Sequence, residues 1–401
     1  MTIFLSSIMK GYVESYAGLS KSCWRGIILS FIESTLIGVY YFFSLYFVNE
    51  LHFNIALAGV ILSFYGMGTI FGGLLGGKLS DAFSPSIVSI GSLFIQAATL
   101  LILVKVSSAR WLMADFFIMG IASYSFITSN HLWSLSHCKK EETRLKAINL
   151  LGVASNLGLG LSAIIINALA RFGFHSIFLF SSALLFLSAI YFSFLNNKNK
   201  TIQEIKPTDT TPTVITKPNQ KIVWLVLGCV FLVGFIIFQS GTTYSIYIEK
   251  SFPELGLRGI SILFSLNCFL VVFLQAPLVN FFRDYNKLLI VGIGVFLLGF
   301  GMLLLNFSYV FVLALLACVI YTVGEILFFS VAQFICYQKS TKENKGKSLG
   351  IYRTIYASSR VAAPAGGSFI YQQYGSHALW SLCGIIGLVC LAACAYFKQY
   401  D

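Results

Sequence analysis

Four charged side chains stand where charges are costly. Glu33 lies between Ile27-Ile28-Leu29-Ser30-Phe31-Ile32 and Ser34-Thr35-Leu36-Ile37, in a run that stays apolar to Val48. Glu325 ends the stretch Tyr321-Thr322-Val323-Gly324-Glu325, and Arg353 and Arg360 carry the opposite sign further along. About 20 apolar residues span a bilayer. A charge at the centre of such a span costs about 2.5–3.5 kcal/mol even on the lenient insertion scale, so it needs a partner, a wet cavity or a proton. Buried carboxylates can carry ions, and buried guanidinium groups can hold anionic solutes, so four such charges point to movement of something polar across a membrane. Enzyme signatures are absent: there is no GxSxG, no phosphate-binding glycine loop ending in Lys-Ser or Lys-Thr, and no HExxH. The five histidines are scattered. Without a phosphate loop, an ion gradient is the energy source to expect, with no cofactor.

These charges need elements that hold them at depth. Ser30, Glu33, Ile37, Tyr40 and Ser44 recur at helical spacing, giving the first span one polar and aromatic face. Glu33 falls roughly 12 Å from the nearer end of that helix. Desolvation penalises the charged form of a carboxyl group. Glu33 and Glu325 are therefore the proton-coupling candidates, with a structural ion pair or direct solute contact as the alternatives for Glu33. Counting from their shared loop, Glu325 and Arg360 reach similar depth, so a Glu325–Arg360 pair is expected, because an unpaired buried charge is expensive. That leaves Arg353 for an anionic solute or for a partner in the other half. Tyr40, Gln239, Thr243 and Tyr321 complete the candidate substrate-binding set with Arg353 and Arg360. Asp115, close to Arg110 near one end of its span, reads as a solvated or snorkelling pair.

Composition makes the bilayer the solvent. The chain has 401 residues, 57% of them hydrophobic and 10% charged, against a globular norm of about 25% charged. The net charge of +12 is distributed over short gaps between apolar runs, which fits lipid headgroups and topology rather than nucleic acid. The nine cysteines show neither metal-ligand spacing nor a disulfide framework, so no metal site is expected. The expected partners are the lipid bilayer and a small-molecule substrate, with the protein a monomer. The N-terminal region lacks a short apolar core followed by a small-residue cleavage site, so the first span should be retained.

Twelve apolar segments can be read, at 24–48, 56–77, 86–106, 110–133, 145–170, 175–195, 221–247, 258–281, 287–306, 308–335, 347–371 and 376–397. The fold class is all-α integral membrane, twelve transmembrane helices in two six-helix bundles. The domains are residues 1–195, a polar linker at 196–221 carrying Pro207, Pro212 and Pro218, and residues 222–401. With the N-terminus inside, only Lys105, Arg110, Arg171, Lys250 and Arg258 of the 27 Lys and Arg fall in outside loops. Both termini are therefore expected in the cytoplasm, the protein lying in the inner or plasma membrane. The stretch Asn156-Leu157-Gly158 to Phe172-Gly173 has a counterpart in Ser358-Ser359-Arg360 to Tyr374-Gly375, an internal repeat between halves.

Gly76-Gly77-Lys78-Leu79-Ser80-Asp81-Ala82-Phe83 resembles the loop signature of the major facilitator superfamily, although Ser84-Pro85-Ser86 replaces its glycine and basic pair. The resemblance implies that Gly77 and Asp81 form a conformational latch, and that the first, fourth, seventh and tenth helices line a central cavity. Asn156-Leu157-Gly158 with Gly160, and Gln239 with the Tyr-Ser-Ile-Tyr that follows, resemble the drug:proton antiporter branch. Ser162 stands where that branch has proline, and Phe116 stands in place of its fourth-helix arginine. The resemblance implies a proton-coupled secondary transporter of a small polar or amphipathic solute, with efflux favoured. Arg353 and Arg360 keep open an importer of an anionic metabolite or siderophore-like chelator. A non-transporting receptor on the same fold is the reading from another class.

Overall fold

The computed structural model describes residues 18–138, 141–196, 220–282, 284–338 and 345–398, and the regular elements among them are all helical. In the first half, α1 covers Lys21–Glu50, α2 Ile55–Ala82, α3 Pro85–Ile102, α4 Ala109–Ser136, α5 Glu141–Leu169 and α6 Phe174–Asn196. In the second, α7 covers Lys221–Ser251, α8 Leu257–Phe281, α9 Lys287–Leu304 and α10 Phe311–Gln338. The stretch Lys345–Phe397 is broken by Gly375, at φ 82° and ψ 173°, into α11 (345–374) and α12 (376–397). The described residues thus hold twelve helices. The expected linker at 196–221 lies almost wholly outside the described residues.

Apolar runs become helices because, in lipid, every backbone N–H and C=O must be paired within its own segment. Polar residues placed just before the runs take up the exposed N–H groups of the first turns. Asn54 accepts from the Leu57 amide at 2.8 Å, and Asn286 from that of Leu289 at 2.9 Å. Large apolar side chains such as Leu74, Phe194 and Phe273 remain 65%, 72% and 70% exposed, as befits a surface solvated by lipid.

The two halves repeat each other at their irregularities. Gly173, between α5 and α6, has the same φ of 82° as Gly375 between α11 and α12. Regular α-helix stops at Ile37 in α1 and at Ile237 in α7. A 3₁₀ turn (Gly38–Phe42) and a π turn (Tyr46–Glu50) follow in α1, and a π turn (Ser240–Tyr244) in α7. Such departures from α geometry loosen the helix where the chain must bend or open a face.

These broken segments meet. Ser245 Oγ donates to the Tyr41 carbonyl at 3.0 Å, and Asn49 Nδ2 reaches both carboxylate oxygens of Glu249 at 2.9 Å. Nearby, the Ala56 amide donates to Gln372 Oε1 at 2.8 Å, and the Ala365 amide to Ser63 Oγ at 3.1 Å. All four contacts cross between halves in the part of the molecule away from the chain termini, and together they close that end.

Helix α2 serves both neighbours. The backbone of α4 lies against Gly68, Gly72 and Gly76, and the backbone of α11 at Arg360 lies against Gly66. A Cβ at Gly66 would overlap the Arg360 carbonyl, whereas one at Gly73 would meet open space. Gly66→Ala should therefore destabilise the protein by about 1–3 kcal/mol through overpacking, read as a fall in apparent Tm. Gly73→Ala should not destabilise and should gain up to about 1 kcal/mol from helix propensity.

Candidate functional site

A cavity of about 260 Å³ opens between the halves where α1 and α7 are interrupted. The first half contributes Tyr40, Tyr41 and Tyr65 to its wall, and the second Phe238, Phe264, Tyr321 and Tyr356. The rings pack on one another, Tyr40 on Tyr65 at 4.5 Å between centres and Tyr41 on Phe264, across the halves, at 4.7 Å. Gly241 leaves room for the Tyr40 ring, since a Cβ there would approach Cε1 to 2.9 Å.

Two charges lie in this aromatic wall, Glu325 and Arg360, both from the second half. The expected Glu325–Arg360 ion pair does not form. Glu325 Oε2 instead accepts from Asn267 Nδ2 at 2.8 Å, and the same nitrogen lies 2.9 Å from Thr322 Oγ1. The Arg360 guanidinium lies between two rings, its central carbon 4.9 Å from the centre of Tyr124 and 4.5 Å from that of Phe238. Burial leaves Arg360 Nε without a hydrogen-bond partner, and the Tyr40 hydroxyl likewise. The pairing fails because neighbouring helices offer each charge a nearer companion: α8 an amide for the carboxylate, α4 and α7 π faces for the cation. Two unpartnered donors, one carboxylate and a ring-lined space can hold a solute that is part flat and apolar, part charged.

The remaining candidates lie elsewhere. Gln239 is fully buried behind the wall, donating to the Ala363 carbonyl at 3.0 Å and accepting from Thr243 Oγ1 at 2.8 Å. Gln239 and Thr243 therefore tie α7 to α11, which Gly367 permits by lacking a side chain, and it is the neighbouring Ser240 that reaches the cavity. Arg353 is exposed towards the terminal side of α11, close enough to His131 of α4 to act on it electrostatically. Glu33 is buried away from the cavity wall. Asp115 is 4% exposed with neither oxygen hydrogen-bonded, so its expected solvated pairing with Arg110 is not formed. Phe116 packs on Phe43 and Phe47 at 4.7 and 5.2 Å, an aromatic core where the antiporter resemblance expects an arginine. Gly77 and Asp81 belong to the last turns of α2 rather than to a loop, and Asp81 is exposed with no hydrogen bond among the described residues.

Sequence reasoning overlooks Asn267, Tyr124, Tyr65 and Tyr356. Asn267 is detectable as the amide in the apolar run of α8, and Tyr356 as the residue one turn before Arg360. Tyr124 and Tyr65 carry no such mark.

Residues 26–364 match the Major Facilitator Superfamily, and the chain belongs to that family. It is a multi-pass integral membrane transporter and not an enzyme. Among its relatives is the "Uncharacterized MFS-type transporter YttB" of Bacillus subtilis (strain 168), 26% identical over 352 residues, 84% of each chain. The fold resembles that of nucleoside transporter NupG, with a TM-score of 0.75 at 15% identity over 95% of this chain and 100% of that one. It also resembles peptide transporter POT in complex with sulfate, with a TM-score of 0.78 at 14% identity over 96% of each. At such identities the likeness is one of fold.

Because Glu325 and Arg360 form no ion pair and share no hydrogen-bond partner, their single substitutions should combine additively. Glu325→Gln and Arg360→Gln should show a coupling energy under about 0.5 kcal/mol in a double-mutant cycle on thermal stability. A coupling of several kcal/mol would restore the ion pair.

Proposed function

We propose that the protein is a secondary active transporter, coupled to protons, that carries a small amphipathic solute bearing an anionic group. The observation that carries this reading is Arg360, a cation held by two rings with Nε unbonded, in the same aromatic cavity as a carboxylate that does not neutralise it. A guanidinium with unbonded N–H groups recognises carboxylate or phosphate, and the surrounding tyrosines and phenylalanines accept a flat apolar body. Glu325 is the coupling group in this reading. With one amide donor and no cationic partner among the described residues, its charge is compensated by a proton when the cavity is shut off from water.

The contacts that close the end away from the termini fit alternating access between two bundles. With both termini in the cytoplasm, as the loop charges imply, the closed end is the outer one. Likeness of Asn156-Leu157-Gly158 to the antiporter branch favours efflux. Import of an anionic metabolite or chelator is the second reading, and it rests on Arg360 alone, because Arg353 lies outside the cavity wall.

Proteoliposomes with an imposed pH gradient test both. A solute panel is first screened by thermal shift, since native-state binding raises apparent stability. Solute accumulation should follow the pH gradient, and the direction of proton movement separates antiport from symport. Arg360→Gln should weaken binding of an anionic solute about 10–100-fold, the equivalent of a lost charge-assisted hydrogen bond. Glu325→Gln should abolish gradient-driven accumulation while solute exchange persists. Accumulation without any dependence on pH gradient would reject proton coupling, and no flux of any bound solute would reject transport.

A further inference from the structure

A second and larger cavity, of about 520 Å³, lies in the second half, on the side of the molecule where α1 begins. It is bounded by the end of α8, the start of α9 and the last turns of α10, and none of the residues lining it lines the solute cavity. Its polarity is graded along its length. At the mouth stand Asp284, in the loop between α8 and α9, and Lys287, the first residue of α9. No ion pair joins these two among the described residues, and the Lys287 ammonium lies over the Phe334 ring, 5.6 Å from its centre. One turn deeper on α10, Ser330 has a buried hydroxyl with no hydrogen-bond partner. Deeper still the walls are apolar, with Ile290 one turn into α9 and Leu327 roughly 10 Å along α10 from Phe334.

The mouth sits at the depth of lipid headgroups. Beside it Tyr285 packs on Phe282 and Phe281, at 5.6 and 6.3 Å between ring centres, and Phe281 and Tyr285 are both exposed. Aromatic side chains gather at that level of a bilayer, where water meets hydrocarbon. Val279 and Phe334 in the walls are exposed as well, so the cavity opens on a surface that lipid solvates. Charges at the mouth, a hydroxyl below them and an apolar floor follow the order of one phospholipid: headgroup, glycerol ester, acyl chain. Basic pockets between transmembrane helices hold such headgroups, and here the second charge selects among them. Lys287 suits a phosphate. A purely anionic headgroup would set a like charge against Asp284, and a quaternary ammonium has no N–H to donate to it. A primary ammonium answers Asp284 with a charge-assisted hydrogen bond. We infer that this cavity binds an aminophospholipid of the phosphatidylethanolamine type from the adjoining leaflet. Its phosphate meets Lys287, its ammonium Asp284 and an ester carbonyl Ser330, while the upper part of one chain lies against Ile290 and Leu327. The lipid thereby ties the α8–α9 loop to α10 and acts on the second bundle alone.

Purified full-length protein in detergent tests this without any solute, by apparent Tm with lipids of matched acyl chains added singly: phosphatidylethanolamine, phosphatidylcholine or phosphatidylglycerol. Water-soluble phosphoethanolamine is run alongside. The expected result is a saturable rise of about 2–4 °C with phosphatidylethanolamine over the other two lipids, and none with phosphoethanolamine, which has no chain. Asp284→Asn should remove that preference and let phosphatidylglycerol stabilise at least as well. Lys287→Gln and Ser330→Ala should each weaken apparent affinity for phosphatidylethanolamine several-fold. Lys250→Gln, at an exposed lysine on the opposite side, should leave it unchanged. Asp284 is exposed, so its variant should fold, and the wild-type lipid series decides even without it. Equal shifts with all three lipids would reduce the cavity to ordinary contact with the bilayer and overturn the site. A preference for phosphatidylethanolamine that survives in Asp284→Asn overturns it too. A shift given by phosphoethanolamine alone would make this a site for a soluble solute, and overturns the lipid as its occupant.

Discussion

Hiding a guanidinium in the interior of a membrane protein is the costly act on which this site depends. Pairing Arg360 with a carboxylate would satisfy both charges and leave little for a solute to do. Sandwiching it between Tyr124 and Phe238 works differently. Cation–π attraction, about 2 kcal/mol or more when desolvated, offsets part of the burial cost while leaving N–H groups of the fork unbonded. The two rings come from different halves, so the same contact holds the cation and draws the bundles together at mid-depth. The backbone of Arg360 is itself seated on Gly66 of α2, which fixes the height of the guanidinium relative to the ring wall.

Much of the fold is legible in the sequence because lipid leaves so few options. Apolar length marks the spans, including the separation of α11 from α12 at Gly375, and the pairing of Gly173 with Gly375 is visible as a repeat. The Gly77–Asp81 segment reads as a loop because glycine and aspartate disfavour helix, yet tertiary packing carries α2 through to Ala82. Less of the site can be read. Depth along a helix is a matter of counting, and it places Glu325 and Arg360 in one layer. Azimuth around the helix, and the identity of neighbours from other helices, depend on packing angles that spacing does not encode. So spacing pairs Arg360 with a carboxylate when its companions are rings, and offers Gln239 to a solute when it binds a backbone carbonyl. It likewise turns Glu33 towards the cavity when that side chain faces α3.

The breaks in α1 and α7 show how a duplicated architecture is put to use. Regular helix ends after Ile37 and after Ile237, and the segments beyond touch through Asn49 and Glu249, positions 200 residues apart. Equivalent backbones thus meet across the pseudo-twofold axis while their side chains differ, one an amide and the other a carboxylate. Two acids or two amides at those positions would not have given this bidentate contact. Symmetry in the chain path and asymmetry in the side chains are both needed for the closed end to form.

That asymmetry extends to the cavity. Its first-half wall is built from tyrosine rings and uncharged groups, whereas Glu325 and Arg360 both project from the second half. A guest molecule therefore meets rings on both sides and charge on one only. For the amphipathic, anionic solute proposed above, that leaves one way round in which to sit and one heading through the crossing, its ionic end travelling with one bundle and its planar end sliding against the other.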